Sequence, residues 1–172
     1  MADIEIRKVS ITNTGCEAVV NAANDGLWAG GGVCGAVFNA AGYEELTKAC
    51  SEYGHCDTGS AVITPGFALS KYIIHAVGPV WHGGHHGEPQ LLYSAYRSSL
   101  ELCLQNDIHS VAFPLISSGI FGYPEKEAWG KALQACNDFV MAHADFDLHI
   151  VFAVIGRSTL QTGKKVLEEL KE

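Results

Sequence analysis

Two short segments carry the residue types that hold a phosphate. The first, residues 21–42, reads NAANDGLWAGGGVCGAVFNAAG. It leaves an apolar strand pattern in which Ala22 is the last residue. Asn24 offers an amide. Gly30, Gly31 and Gly32 carry no side chain, so backbone N–H groups can approach an anion. Val33 opens a small-residue helical pattern over residues 33–41, and a helix N-terminus adds a favourable dipole. The second segment, residues 115–124, reads LISSGIFGYP. Ser117 and Ser118 offer hydroxyls, Gly119 and Gly122 permit a tight backbone, and Ile120 and Phe121 offer apolar cover. Tyr123 either edges a ligand or packs inward. Each segment alone is also compatible with a plain turn. As a pair they suggest jaws around an elongated, phosphate-bearing ligand.

Cys34, inside the first segment, is a candidate nucleophile. A thiol at a helix N-terminus can have a lowered pKa and become reactive. Cysteine also fills cores as a small apolar residue, and no histidine is fixed beside Cys34 by the sequence. His82, His85 and His86 lie in WHGGHHGE, which lacks the helical HExxH spacing of a zinc site, so a surface loop and no metal is the expectation. Cys50, His55 and Cys56 make only a weak motif beside them. His75, inside the apolar run YIIHAV, reads as a core histidine with its ring nitrogens satisfied. Trp28 is either a ligand-side aromatic or a loop anchor.

The elements that must position these residues follow from hydrophobic periodicity. Residues 4–9 alternate as a half-buried strand, and residues 17–22 form the strand entering the first glycine loop. Helix continues over 43–53 after the small-residue pattern of 33–41. Residues 61–64 form a short strand ending at Pro65. Residues 71–77 form a continuous apolar strand, covered on both faces. A helix over 90–106 places Leu92, Tyr96, Leu100 and Cys103 on one stripe. Residues 110–115 form the strand that delivers the second loop. Pro124, Glu125 and Glu127 suit the start of the next helix. Residues 147–155 form the last strand. Ser158 with Gln161 resembles a capping box for a final helix. Strands alternating with helices imply an α/β domain, a largely parallel sheet with helices on both faces. Ligands of such sheets lie outside the carboxyl ends of the strands, where both loops fall.

With 172 residues, 48% hydrophobic and 17% charged, the chain is globular and most simply one domain. A net charge of −8 argues against a nucleic-acid partner, whose binding is mostly electrostatic, but not against a small anion held by backbone N–H groups. The charged start MADIEIRK is no signal peptide, and no apolar run is long enough to span a membrane. The six cysteines lack CxxC spacing and are expected reduced and mostly buried, in a cytoplasmic protein.

The order VNAAN, AGGGV, GA with NAAG, TGSA, YIIHAVGP and SSGIFGYP resembles the macrodomain family over nearly the whole chain. Its closest likeness is to the branch of ADP-ribosyl and O-acetyl-ADP-ribose hydrolases. The resemblance implies a single macrodomain over residues 1–172, a three-layer α/β/α sandwich around a mixed, largely parallel sheet. It implies a cleft for ADP-ribose or a close derivative, free or on a modified protein, with no cofactor. Residues 30–33 and 118–122 would hold the diphosphate and distal ribose, and Asn24 would bond the distal ribose. Ser10, Ile11 and residues near 154–155 would build the adenine pocket.

The chain departs from the family at three positions. Ser10 stands where a Gly-Asp-Ile-Thr motif has its aspartate, and a neutral hydroxyl is a weaker acceptor for the adenine amine. Cys34 and Phe38 stand where the hydrolytic branch has an aspartate and a histidine. Binding is therefore the leading expectation. Hydrolysis of an ADP-ribose derivative, by an atypical mechanism involving substrate assistance or Cys34, is the alternative.

Overall fold

The computed structural model describes residues 3–171. Met1, Ala2 and Glu172, the ends of the expected 1–172 domain, lie outside the described residues. In chain order the elements are β1 (Asp3–Lys8), a 3-10 turn (Ile11–Asn13), β2 (Ala18–Ala23), α1 (Gly32–Ala41), α2 (Tyr43–Ser51) and β3 (Ala61–Pro65). There follow β4 (Tyr72–Val77), α3 (Glu88–Gln105), β5 (Ser110–Phe113), α4 (Glu125–Ala142), β6 (His149–Val154) and α5 (Arg157–Lys171).

The strands form one sheet in the order β1-β6-β5-β2-β4-β3. Every pairing is parallel except β3 with β4. Successive side chains of a strand point to opposite faces. Ala18, Val20, Ile74 and Ala76 accordingly pack with α3 and α4, whose Leu92, Tyr96 and Trp129 are fully buried. Val19, Ala23, Ile73 and Val77 face the other way, onto Val37 and Phe38 of α1 and Leu46 and Cys50 of α2. The result is the expected mixed sheet between two helical layers. Among the described residues no helix is long and apolar enough to cross a membrane.

Three local expectations need correction. The helix over 43–53 does not continue from 33–41: Gly42, at φ 120°, interrupts it and starts α2 afresh. The strand over 110–115 stops at Phe113, because Pro114 has no N–H to donate to a ladder. The final helix begins at Arg157, so Ser158 lies inside its first turn. The carbonyl of Gly156 accepts the Leu160 N–H at 3.0 Å, and the Ser158–Gln161 capping box does not form.

The parallel strands β1, β6, β5, β2 and β4 all end on one edge of the sheet. Both glycine loops leave from that edge, one between β2 and α1 and the other between β5 and α4.

Candidate functional site

The first loop is built around Asn24. Its Oδ1 accepts the Trp28 backbone N–H at 3.1 Å, and its Nδ2 donates to the Trp28 carbonyl at 2.8 Å. Leu27 donates its N–H to the Asn24 carbonyl and is buried as the loop's anchor, at φ 58°. One side-chain amide thus clamps a turn and presents the glycines behind it. The backbone then closes on itself: a Cβ at Gly35 would stand 2.9 Å from the Gly30 carbonyl oxygen. Gly32, at φ 57°, takes the left-handed conformation that starts α1. The N–H groups of Gly32 and Val33, in the first turn of α1, have no intrahelical acceptor, and both residues line the cleft described below.

The second loop hangs from buried Tyr96. Its Oη accepts the Ile116 N–H at 2.8 Å and donates to the Pro114 carbonyl at 3.1 Å, and burial pushes this phenol's pKa upward. Ser118 Oγ donates to the Leu115 carbonyl at 2.8 Å, and Gly122 donates to the Gly119 carbonyl at 3.0 Å. These bonds leave the N–H groups of Gly119, Ile120 and Phe121 without a protein acceptor among the described residues. Ser117 is held at φ 70°, a conformation non-glycine residues rarely adopt, and its buried Oγ has no partner. A Cβ at Gly78 would lie 2.3 Å from that oxygen, so Gly78 is what lets Ser117 pack there.

The two loops meet across a cleft of about 830 Å3. Ile120 Cδ1 reaches to 3.8 Å from where a Gly31 Cβ would stand. Ser10, Ile11, Ala22, Asn24, Gly30, Gly31, Gly32, Val33, Cys34, Ser117, Ser118, Gly119, Ile120 and Phe121 all line this cleft. Gly122 and Tyr123 do not. Tyr123 turns inward, buried against Trp81 with ring centroids 4.6 Å apart, so packing accounts for it. Trp28 lines the cleft with 63% of its surface exposed, as a rim aromatic. At the opposite end Val9, Ala153, Val154 and Ile155 make an apolar floor where β1 pairs with β6.

Charge is scarce in this space. The lining includes no lysine or arginine, and Glu125 is its only charged side chain. An anion is therefore met by backbone N–H groups and the dipole of α1 rather than by cations.

Cys34 lies beside the first loop, with its sulfur accepting from the Gly30 N–H at 3.4 Å and from Asn21 Nδ2 at 3.6 Å. Asn21 also donates to His75 Nδ1 at 3.1 Å, and His75 Nε2 meets Thr64 Oγ1 at 3.0 Å. Thr64 Oγ1 donates to the Pro65 carbonyl at 3.0 Å, so it accepts from Nε2–H and leaves Nδ1 free to accept from Asn21. The direction of this relay follows: it ends with an amide proton on the Cys34 sulfur. His75 is fully buried behind the cleft, and desolvation lowers its pKa to about 4. It is the satisfied core histidine its apolar run suggests, and it does not line the cleft. Phe38 is buried against His75 and Tyr43 and brings no acid or base to the site.

The His82–His86 loop is shaped by Glu88, a buried carboxylate that no motif in the sequence singles out. It accepts N–H groups from His82 at 2.8 Å, Gly84 at 3.0 Å and His86 at 2.7 Å. Burial pushes its carboxyl up, but these backbone bonds, with that of Glu88 itself, outweigh it and bring it down to about 2. Among the described residues no group of three or more His, Cys, Asp or Glu is arranged to hold a metal.

Comparison with known proteins bears on this geometry. The sequence model of the Macro domain matches residues 20–132. The chain is 47% identical over 146 residues to the O-acetyl-ADP-ribose deacetylase of Salmonella gallinarum, covering 82% of this chain and 81% of that one. It superposes on the Oceanobacillus iheyensis macrodomain with ADP at a TM-score of 0.91 and 37% identity, covering 98% of this chain and 91% of that one. On the Trypanosoma brucei macrodomain in complex with ADP-ribose the TM-score is 0.87 at 34% identity, covering 94% of this chain and 68% of that one.

Proposed function

The chain belongs to the Macro domain family, and from that premise we propose that it binds ADP-ribose, free or attached to a modified protein. The observation that carries this reading is the approach of Gly31 and Ile120, which brings two sets of free backbone N–H groups together over one cation-free cleft. A diphosphate matches such a site, since it carries charge that distributed N–H dipoles can satisfy. The Val9–Val154 end suits a flat apolar base, and the Asn24–Trp28 end suits a polar sugar. Two structural neighbours were solved with ADP and with ADP-ribose, which supports the same ligand class.

The test is calorimetric titration of the chain and of Gly32→Val with ADP-ribose. No Cβ contact lies within 4 Å at Gly32, so the substitution acts through its left-handed φ. A β-branched residue there costs roughly 1–2 kcal/mol and turns the first-turn N–H groups away. Binding by the unmodified chain and loss in the variant is the expected result. Equal affinity would sink the reading.

A second reading has its own observation. Cys34 faces the cleft with two N–H donors on its sulfur, and one relative bears the name O-acetyl-ADP-ribose deacetylase. With Phe38 buried and no aspartate at position 34, hydrolysis here would depend on the substrate or on this thiol. Incubation with O-acetyl-ADP-ribose and with mono-ADP-ribosylated protein, monitored for free ADP-ribose, separates an enzyme from a binder.

A further inference from the structure

Glu125, the only charged side chain of the cleft lining, is held in place by its neighbours. It opens α4, and its Oε2 accepts from Thr159 Oγ1 of α5 at 2.8 Å. Thr159 is fixed in turn, because its carbonyl accepts from Nε1 of buried Trp129 at 3.1 Å. The helix α5 comes this close only because Gly163 has no side chain: a Cβ there would stand 2.6 Å from the Trp129 ring. Two bonds between α4 and α5 therefore orient one carboxylate, and Oε1 has no protein partner among the described residues. Glu125 and Thr159 border the apolar end of the cleft together with Val154 and Ile155. Ser10, the hydroxyl at that end, is already engaged with Thr12, through Oγ1 at 2.9 Å and the backbone N–H at 3.4 Å.

We propose that Glu125 sets specificity at the nucleoside end of the ligand. Its carboxylate accepts a hydrogen bond from a neutral donor, a ribose hydroxyl or a base amino group, and repels a ligand bearing an extra phosphate on the nucleoside ribose. This rests on the ADP-ribose reading above. A carboxylate acceptor makes a charge-assisted hydrogen bond with such a donor, roughly twice as strong as one between neutral groups. The same carboxylate has no nearby cation in the cleft to offset a second anion.

The test is calorimetry on the full chain with ADP-ribose, its 2′-phosphorylated form and its hypoxanthine analogue, using wild type, E125Q, E125K and T159V. Glu125 is exposed, so its two substitutions should leave folding intact, and thermal melts check all three variants. Wild type should bind the 2′-phosphorylated ligand roughly tenfold more weakly than ADP-ribose, the scale of charge repulsion at a few ångströms near water. E125Q should bind ADP-ribose several-fold more weakly and lose most of that discrimination. E125K should reverse the preference, and T159V should fall between wild type and E125Q. If the deficit of the hypoxanthine analogue disappears in E125Q, the donor is the base amine; if it persists, the donor is a ribose hydroxyl. E125Q with unchanged affinity and unchanged discrimination overturns the inference while leaving ADP-ribose binding in place. A wild-type chain that takes up no ADP-ribose overturns both.

Discussion

The backbone N–H of Gly30 donates to the sulfur of Cys34 across 3.4 Å, tying the first glycine loop to the helix it precedes. Asn21 supplies a second donor from the strand side. The sulfur is thereby placed at the cleft wall, where ligand and alkylating reagent compete for the same space. Iodoacetamide should therefore label Cys34 on the folded chain, and ADP-ribose at ten times its Kd should slow that labelling about tenfold. Peptide mass spectrometry reads the site. Labelling that needs denaturant, or that ADP-ribose leaves unchanged, would count against the placement.

Gly35 tests the loop without touching the ligand. Its hydrogen faces the Gly30 carbonyl so closely that a Cβ would stand 2.9 Å from the oxygen. Gly35→Ala must shift the Gly30 backbone from its present position. Misplacement of the N–H groups should weaken ADP-ribose binding by about tenfold or more, the worth of one charge-assisted hydrogen bond. The thermal midpoint should fall as well, because the clash is with backbone, which cannot swing aside as a flexible side chain would. An unchanged Kd would show that this loop does not hold the phosphates.

His75 makes stability depend on pH. Its folded pKa of about 4 lies below the unfolded value near 6.5, so the unfolded chain binds this proton first as pH falls. The contribution is whole above about pH 6.5 and is lost progressively down to about pH 4, amounting to about 3 kcal/mol. Urea midpoints of wild type should fall more steeply between pH 7 and pH 4.5 than those of His75→Gln. Parallel slopes would contradict the buried neutral imidazole.

Glu88 has the opposite chemistry. Three N–H groups of the 82–86 loop end on its carboxylate, which is held near pKa 2. The stability it adds is present above the ordinary carboxylate value of 4.5 and is lost as pH falls toward 2. Glu88→Gln puts an amide NH2 against a backbone donor. Its thermal midpoint should be lower than wild type at pH 7, with the gap narrowing in acid. A constant gap across pH would mean that the charge contributes nothing.

Much of this was legible in the sequence for physical reasons. Strand and helix periods marked every element of the sheet and its covering layers, because Ala18, Val20, Ile74 and Ala76 must face one way and Val19, Ile73 and Val77 the other. Glycine and serine placement marked both loops, because N–H groups reach an anion only where side chains are small. The inward turn of Tyr123 was not legible, since a tyrosine after a loop packs or protrudes according to a partner, Trp81, far off in sequence. Glu125 read only as a residue suited to a helix start; its place in the cleft depends on Thr159, Trp129 and Gly163, contacts between helices that no local pattern encodes. The Asn21–His75–Thr64 relay is hidden for the same reason, since it spans three strands.

The most direct test of the central claim is titration of the purified chain with ADP-ribose in a calorimeter. A saturable single-site isotherm, abolished by Gly32→Val, is the expected result. A flat isotherm at millimolar ligand, from a chain shown to be folded, would contradict it.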